Sequence, residues 1–302
     1  MSKKNKPTND MMLKIDNLIL GDIKSLARLL TIVENDLAGA DEILKTLKIK
    51  NTPVIGITGP PGAGKSTLVN AILNKLSKQF KIAVLAIDPT SPFNLGSLLG
   101  DRIRMIEQFN NKNVFIRSIA TRGSLGGLSV KTIEMTDVLK SADFDFIFIE
   151  TVGVGQSEVE IAGLADFTIV VLVPESGDEI QNIKSGLMEI ADVFVVNKAD
   201  REGADIFANN LKKMVNHLAK PIPVLKTIAE QSVGIDELLL KIQSTHQIDN
   251  QRKPYLLAEK AWRLIQNDKM KGINKEKLRK EITKAYKIDF NLYRFIEKFK
   301  NS

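Results

Sequence analysis

Residues 54–70 read VIGITGPPGAGKSTLVN, and this stretch decides the fold. Val54, Ile55 and Ile57 form a short apolar run rich in β-branched side chains, the pattern of a buried strand. Gly59-Pro60-Pro61-Gly62-Ala63-Gly64-Lys65-Ser66 follows, a full match to G-x-x-x-x-G-K-[ST]. After Thr67, residues Leu68, Val69, Ala71, Ile72 and Leu76 recur at helical spacing. Strand, glycine loop and helix in that order make an anion trap. The glycines let backbone N–H groups turn inward, and the start of the helix adds its dipole. Lys65 can reach β- and γ-phosphates, and the Ser66 hydroxyl can bind Mg²⁺. The run 59–67 is therefore the expected nucleotide-binding segment.

Downstream, Asn197-Lys198-Ala199-Asp200 fits N-K-x-D and follows an apolar run at 193–196. Asp200 can accept from guanine N1–H and the exocyclic N2 amine. Adenine has no N2 amine and presents an acceptor at N1, so the carboxylate would be left unpaired; that mismatch gives discrimination on the order of 10⁴-fold. A second guanine loop usually carries Ser-Ala. Here Thr227-Ile228-Ala229 keeps only the alanine, whose N–H is expected to contact the guanine carbonyl oxygen.

Glu150-Thr151-Val152-Gly153 ends another apolar run and fits D/E-x-x-G. Its carboxylate can hold Mg²⁺ directly or through water, and the Gly153 N–H can meet the γ-phosphate. Gln156 could position water but does not directly follow the glycine. Asp88, at the end of a further strand, and Asp101 in the long loop after it suggest metal ligation or water activation. Arg104 suggests phosphate neutralisation. Spacing alone leaves all three equally consistent with surface charges.

Between these motifs strand and helix alternate, with strands expected at 81–87, 114–116, 144–149, 167–173, 193–196 and 222–225. Several are apolar throughout, as in a mostly parallel sheet covered by helices on both faces. The long loop after Asp88 and the glycine-rich TRGSLGG at 121–127 suit the carboxyl ends of strands, where open α/β sheets bind ligands. Residues 13–49 carry an apolar stripe of Leu18, Ile19, Ile23, Leu26, Leu29, Leu30 and Val33, then a short helix from Asp41. After Asp236 the signal is helical, with helices expected at 255–265 and 275–299. The expected organisation is a tail and helical extension at 1–50, an α/β nucleotide domain at 51–245 and a helical arm at 246–302.

The 302 residues are 43% hydrophobic and 26% charged, an ordinary globular composition. No apolar run approaches the ~18–20 residues that span a bilayer. Residues 1–12 lack an apolar signal core and read as a polar tail, so a cytoplasmic location with no membrane association is expected. There are no cysteines, hence no disulfides or thiolate metal sites. His217 and His246 are isolated. The net charge of +7 comes without a recognition module or stacking aromatics, so no nucleic-acid partner is expected.

GPPGAGKST at 59–67, DPTSP at 88–92, GDRIRM at 100–105, ETVGVGQSEVE at 150–160, SGLMEIAD at 185–192 and NKAD at 197–200 resemble the methylmalonyl-CoA mutase-associated GTPases, the MeaB/ArgK type. The resemblance implies a P-loop G domain with an N-terminal helical extension and a C-terminal dimerisation arm. It implies a homodimer that hydrolyses GTP as chaperone and gatekeeper of an adenosylcobalamin-dependent acyl-CoA mutase. It also implies Lys65 and Ser66 on phosphates and Mg²⁺, with Asp88, Asp101 and Glu150 around the metal and Arg104 near the phosphates. A further responsive loop is implied at 175–184. The competing expectations are a GTP-driven metallochaperone, disfavoured by zero cysteines, and a nucleotide-driven kinase of an amino-acid transport system, disfavoured by NKAD.

Overall fold

The structure, a computed structural model, describes residues 15–18, 21–88, 106–108, 110–120, 130–151, 160–175, 186–217, 221–245, 253–270, 272–286 and 290–300. The expectations on 89–92, Asp101, Arg104, 121–127, Gly153, Gln156, 176–184 and His246 lie outside these residues, and only the backbone of Asp88 is described. The chain divides into two compact units, Met1–Leu257 and Ala258–Ser302.

The first unit is built on seven strands: β1 Val54–Thr58, β2 Ile82–Asp88, β3 Val114–Ala120, β4 Phe146–Glu150, β5 Phe167–Leu172, β6 Val193–Val196 and β7 Val224–Lys226. They lie in the order β3-β2-β4-β1-β5-β6-β7, and every neighbouring pair is parallel. All seven expected strands are present, with most ends moved by a residue or two. β3 extends well past the expected 116. Arg117, Ser118, Ile119 and Ala120 pair with Leu85, Ala86, Ile87 and Asp88, so the ladder continues. β3 is an edge strand, where polar side chains are tolerated and an apolar run stops being a guide.

Both faces of the sheet are covered. Helix α1 (Ile23–Glu34) is N-capped by the Asp22 carboxylate, which accepts from the Lys24 and Ser25 amides. With α2 (Ala40–Thr46) and α4 (Val130–Lys140) it covers Val54, Ala83, Leu85, Ile147 and Ile149. Leu26, Leu29, Leu30 and Val33 from the N-terminal stripe are buried there, although Ile23 is exposed. Helices α3 (Lys65–Leu76) and α7 (Ile235–Ser244) cover the other face over Ile55, Ile57, Phe148, Ile169 and Val195. α5 is the short Leu187–Ile190 helix, and α6 (Ala204–Asn216) packs Phe207, Leu211 and Val215 on Val170, Phe194 and Val196. Burial on both sides explains why the central strands read as unbroken apolar runs. From β1 the chain runs out to β2 and β3, returns to β4 beside β1, and then crosses to β5. This reversal opens a crevice at the carboxyl ends of β1, β4 and β5, where doubly wound sheets bind ligands.

Helix α8 (Lys253–Met270) crosses into the second unit, which continues with α9 (Lys275–Ala285) and α10 (Leu292–Lys300). The sequence predicts one helix over 275–299. The structure breaks it because Asn291 caps α10, its Oδ1 accepting from the Tyr293 and Arg294 amides at 3.0 and 3.1 Å. Phe290, Phe295 and Phe299 form a ring series with centroids 5.7 and 5.8 Å apart.

Candidate active site

The loop 59–64 leaves β1 and turns into α3. Gly59 has φ 134°, and a Cβ there would lie 2.0 Å from the Val171 carbonyl oxygen. Only glycine lets the loop cross β5 this closely. Gly64 caps α3 in the left-handed region at φ 83°, and its missing Cβ would meet Asn197 Nδ2 at 2.5 Å. Pro61 is exposed in the turn, and Thr67 is half-buried in the first turn of α3.

Lys65 and Ser66 open α3 and are 7% and 5% exposed. The Lys65 ammonium folds back over the loop, donating to the carbonyls of Gly59 at 2.8 Å and Pro60 at 3.0 Å. A buried cation next to a helix N-terminus favours an anion there. The Ser66 hydroxyl donates to Glu150 Oε1 at 2.6 Å, and Glu150 is 7% exposed at the end of β4. Hydroxyl and carboxylate are hard oxygen donors. Mg²⁺ in nucleotide sites takes one or two such protein ligands and completes its shell with phosphate and water. The pair fits that ion. Among the described residues no cluster of three or more His, Cys, Asp or Glu side chains could hold a metal.

The base side is built by Asn197, buried at the end of β6. Its Nδ2 donates to the Ala63 carbonyl at 3.0 Å, while Oδ1 accepts from the Thr227 hydroxyl and the Ala229 amide, each at 3.1 Å. One amide thus ties the phosphate loop to the loop after β7. Lys198 sits at φ 55° and donates to the Gly62 carbonyl at 2.8 Å, laying its stem along the glycine loop. Asp200 is exposed in the following turn, where its carboxylate is open to a base. Beside it Arg201 pairs with Glu175, and the hydrogen bond from Arg201 holds the Glu175 carboxyl below its usual range.

The structure thus brings together Lys65, Ser66 and Glu150 on the phosphate side, and Asn197, Lys198, Thr227 and Ala229 on the base side. The Ala229 N–H is donated to Asn197, so contact with a base would need that bond shared or exchanged. Thr227 was not singled out in the sequence, although it stands in the guanine backup tripeptide. Thr58 and Thr151 bring their buried hydroxyls together at 3.1 Å.

The profile of the family described as "Methylmalonyl Co-A mutase-associated GTPase MeaB" matches residues 26–286. A Pyrococcus horikoshii protein carrying a GTPase name is 47% identical over 239 residues, covering 76% of this chain and 75% of that one. GTPase ArgK of Escherichia coli is 40% identical over 239 residues, covering 74% of this chain and 72% of its own. The Mus musculus "Methylmalonic aciduria type A homolog, mitochondrial" is 39% identical over 207 residues, 62% of this chain and 50% of that one. Among solved structures, the "LAO/AO transport system kinase" shares the fold at a TM-score of 0.67 and 24% identity, covering 99% of this chain and all of that one.

Proposed function

Because the chain belongs to the methylmalonyl-CoA mutase-associated GTPase family, we propose that it couples GTP hydrolysis to guarding an adenosylcobalamin-dependent acyl-CoA mutase. The GTPase part is carried by one observation: Asn197 fastens the phosphate loop to the guanine loop through Ala63 and Ala229. The mutase part is supported by family membership.

In this reading the amides of 59–67 and the Lys65 ammonium hold the β- and γ-phosphates. Asp200 selects guanine, with Asn197 and Lys198 fixing the loop that presents it. Ser66 and Glu150 hold Mg²⁺, with Asp88 and Asp101 as further ligands and Arg104 and Gly153 at the γ-phosphate. Bound there, Mg²⁺ would supply positive charge against the phosphates as GDP leaves and water takes its place on the γ-phosphorus. Catalysis by the chain is then positioning and charge neutralisation, which a docked partner can complete. The arm at 246–302 joins two copies, and the protein works in the cytoplasm.

The experiment measures GTP turnover at a fixed concentration of this protein with and without a methylmalonyl-CoA mutase that co-purifies with it. Supplying missing positioning groups gives about 10³- to 10⁵-fold when a partner finger enters the site, and less when only a loop is ordered. Any reproducible stimulation above about threefold supports the reading. Equal turnover with a mutase that demonstrably binds would reject it.

A further inference from the structure

We propose that the buried hydroxyl pair of Thr58 and Thr151 is a positioning device for GTP hydrolysis, acting on Glu150 from the opposite face of the sheet. The inference rests on the reading of Glu150 as a residue of the active site. Glu150 and Thr151 are consecutive, and successive side chains along a strand point to opposite faces. Glu150 turns toward α3 and accepts from Ser66 at 2.6 Å. Thr151 turns the other way, its hydroxyl donating to Thr58 Oγ1 at 3.1 Å and its amide to the Ile57 carbonyl at 3.0 Å. Thr58 is the last residue of β1, immediately before Gly59. The peptide that carries Glu150 is therefore fastened above to the first turn of α3 and below to the root of the phosphate loop.

Packing gives no reason for these hydroxyls. Thr58 and Thr151 are 0% and 2% exposed, and valine has nearly the same shape. Two buried hydroxyls must each lose water, and replacing both partners of a buried hydrogen bond by apolar isosteres is often neutral for stability. What the pair supplies is direction: it fixes where β4 ends and how the carboxylate meets Ser66. The hydroxyls bond each other, and neither bonds a residue of 59–67 or of 197–200. The pair's effect should therefore appear in turnover and not in affinity.

The test compares wild type, Thr58→Val, Thr151→Val, the double variant, Thr58→Ser and Glu150→Ala. It reads kcat, KM for GTP, GDP affinity and the urea midpoint. Each valine variant should lower kcat about fivefold to tenfold, the rate equivalent of one lost hydrogen bond. KM and GDP affinity should stay within about twofold. The double variant should be no slower than either single one, because the pair acts as a unit. Thr58→Ser keeps the hydroxyl and should restore most of the rate. Equal losses in Thr58→Ser and Thr58→Val would assign the effect to packing and overturn the proposal. Wild-type kcat in both valine variants with a slowed Glu150→Ala would overturn it while leaving the role of Glu150 intact. Wild-type kcat in Glu150→Ala would remove the reading on which it stands.

Discussion

Asn197 satisfies three partners with one amide, and this leaves Asp200 as the carboxylate in 197–200 open to a base. Selectivity for guanine therefore concentrates on a single acceptor. Asp200→Asn should weaken GTP binding by about 10²-fold or more and favour XTP, whose 2-oxo group accepts where guanine donates. Competition binding of both nucleotides to both proteins measures it; an unchanged preference would mean that Asp200 does not read the base. At this scale the sequence was informative wherever residue type and spacing were demanding. Lys65, Ser66, Glu150 and Asn197 could be named because glycine loop, hydroxyl, strand-end acid and amide each occupy a fixed offset from a strand. Thr58, Thr151 and Thr227 could not, because a threonine at a strand end is ordinary until its hydroxyl partner is known, and those partners lie 93 and 30 residues away. The Ala229 amide shows the same limit: sequence tells that an N–H exists and not that Asn197 Oδ1 accepts from it.

Helix α3 is more than the seat of Lys65 and Ser66. On its flank, the short helical turn Ile106–Gln108 is held by a cluster of side-chain amides. Gln108 is buried, its Nε2 donating to the side chains of Asn70 and Asn74, and Asn111 donates to the Ser77 hydroxyl at 2.8 Å and to Gln108 Oε1 at 3.3 Å. The cluster moors the chain entering β3 to the phosphate-loop helix. Gln108→Leu would keep the volume and strand the amides that face it, at a cost of about 2 kcal/mol. Urea unfolding should show the lower midpoint with GTP affinity nearly unchanged; an unchanged midpoint would mean that the cluster carries no stability. The elements themselves were readable because their physics is local. Burial on both faces writes β1, β4, β5 and β6 as unbroken apolar runs, and the loop after them demands glycine. Where the cause is not local the reading stopped short. β3 continues through Arg117 and Ser118 because β2 is there to pair with it. The N-terminal stripe could be seen, but not that it belongs to the same core as β2, β4 and α4. Residue 291 could not be recognised as a cap inside what looked like one long helix.

At the scale of the whole molecule, the second unit carries exposed apolar side chains on its helices. Trp262 and Ile265 on α8 are 59% and 55% exposed and lie one helical turn apart, a paired apolar surface on one helix. If the arm joins two copies, Trp262→Glu with Ile265→Glu should convert a dimer to a monomer in sedimentation while leaving GTP binding intact. A wild-type protein that sediments as a monomer at working concentration would reject the arm as a dimerisation element. The sheet order has a consequence in time. The glycine loop is made before the strands that flank it: β1 has no neighbour until β4 and β5 are made, because Val54 pairs with Ile147 and Ile55 with Phe167. The amide that closes the loop comes later still, since Asn197 is translated 134 residues after Ala63. At ~5–20 residues per second this interval is on the order of ten seconds. For most of it β1 waits for its neighbours β4 and β5, and for all of it the nucleotide cradle lacks its clasp. The cradle gains its clasp only once Asn197 has been made.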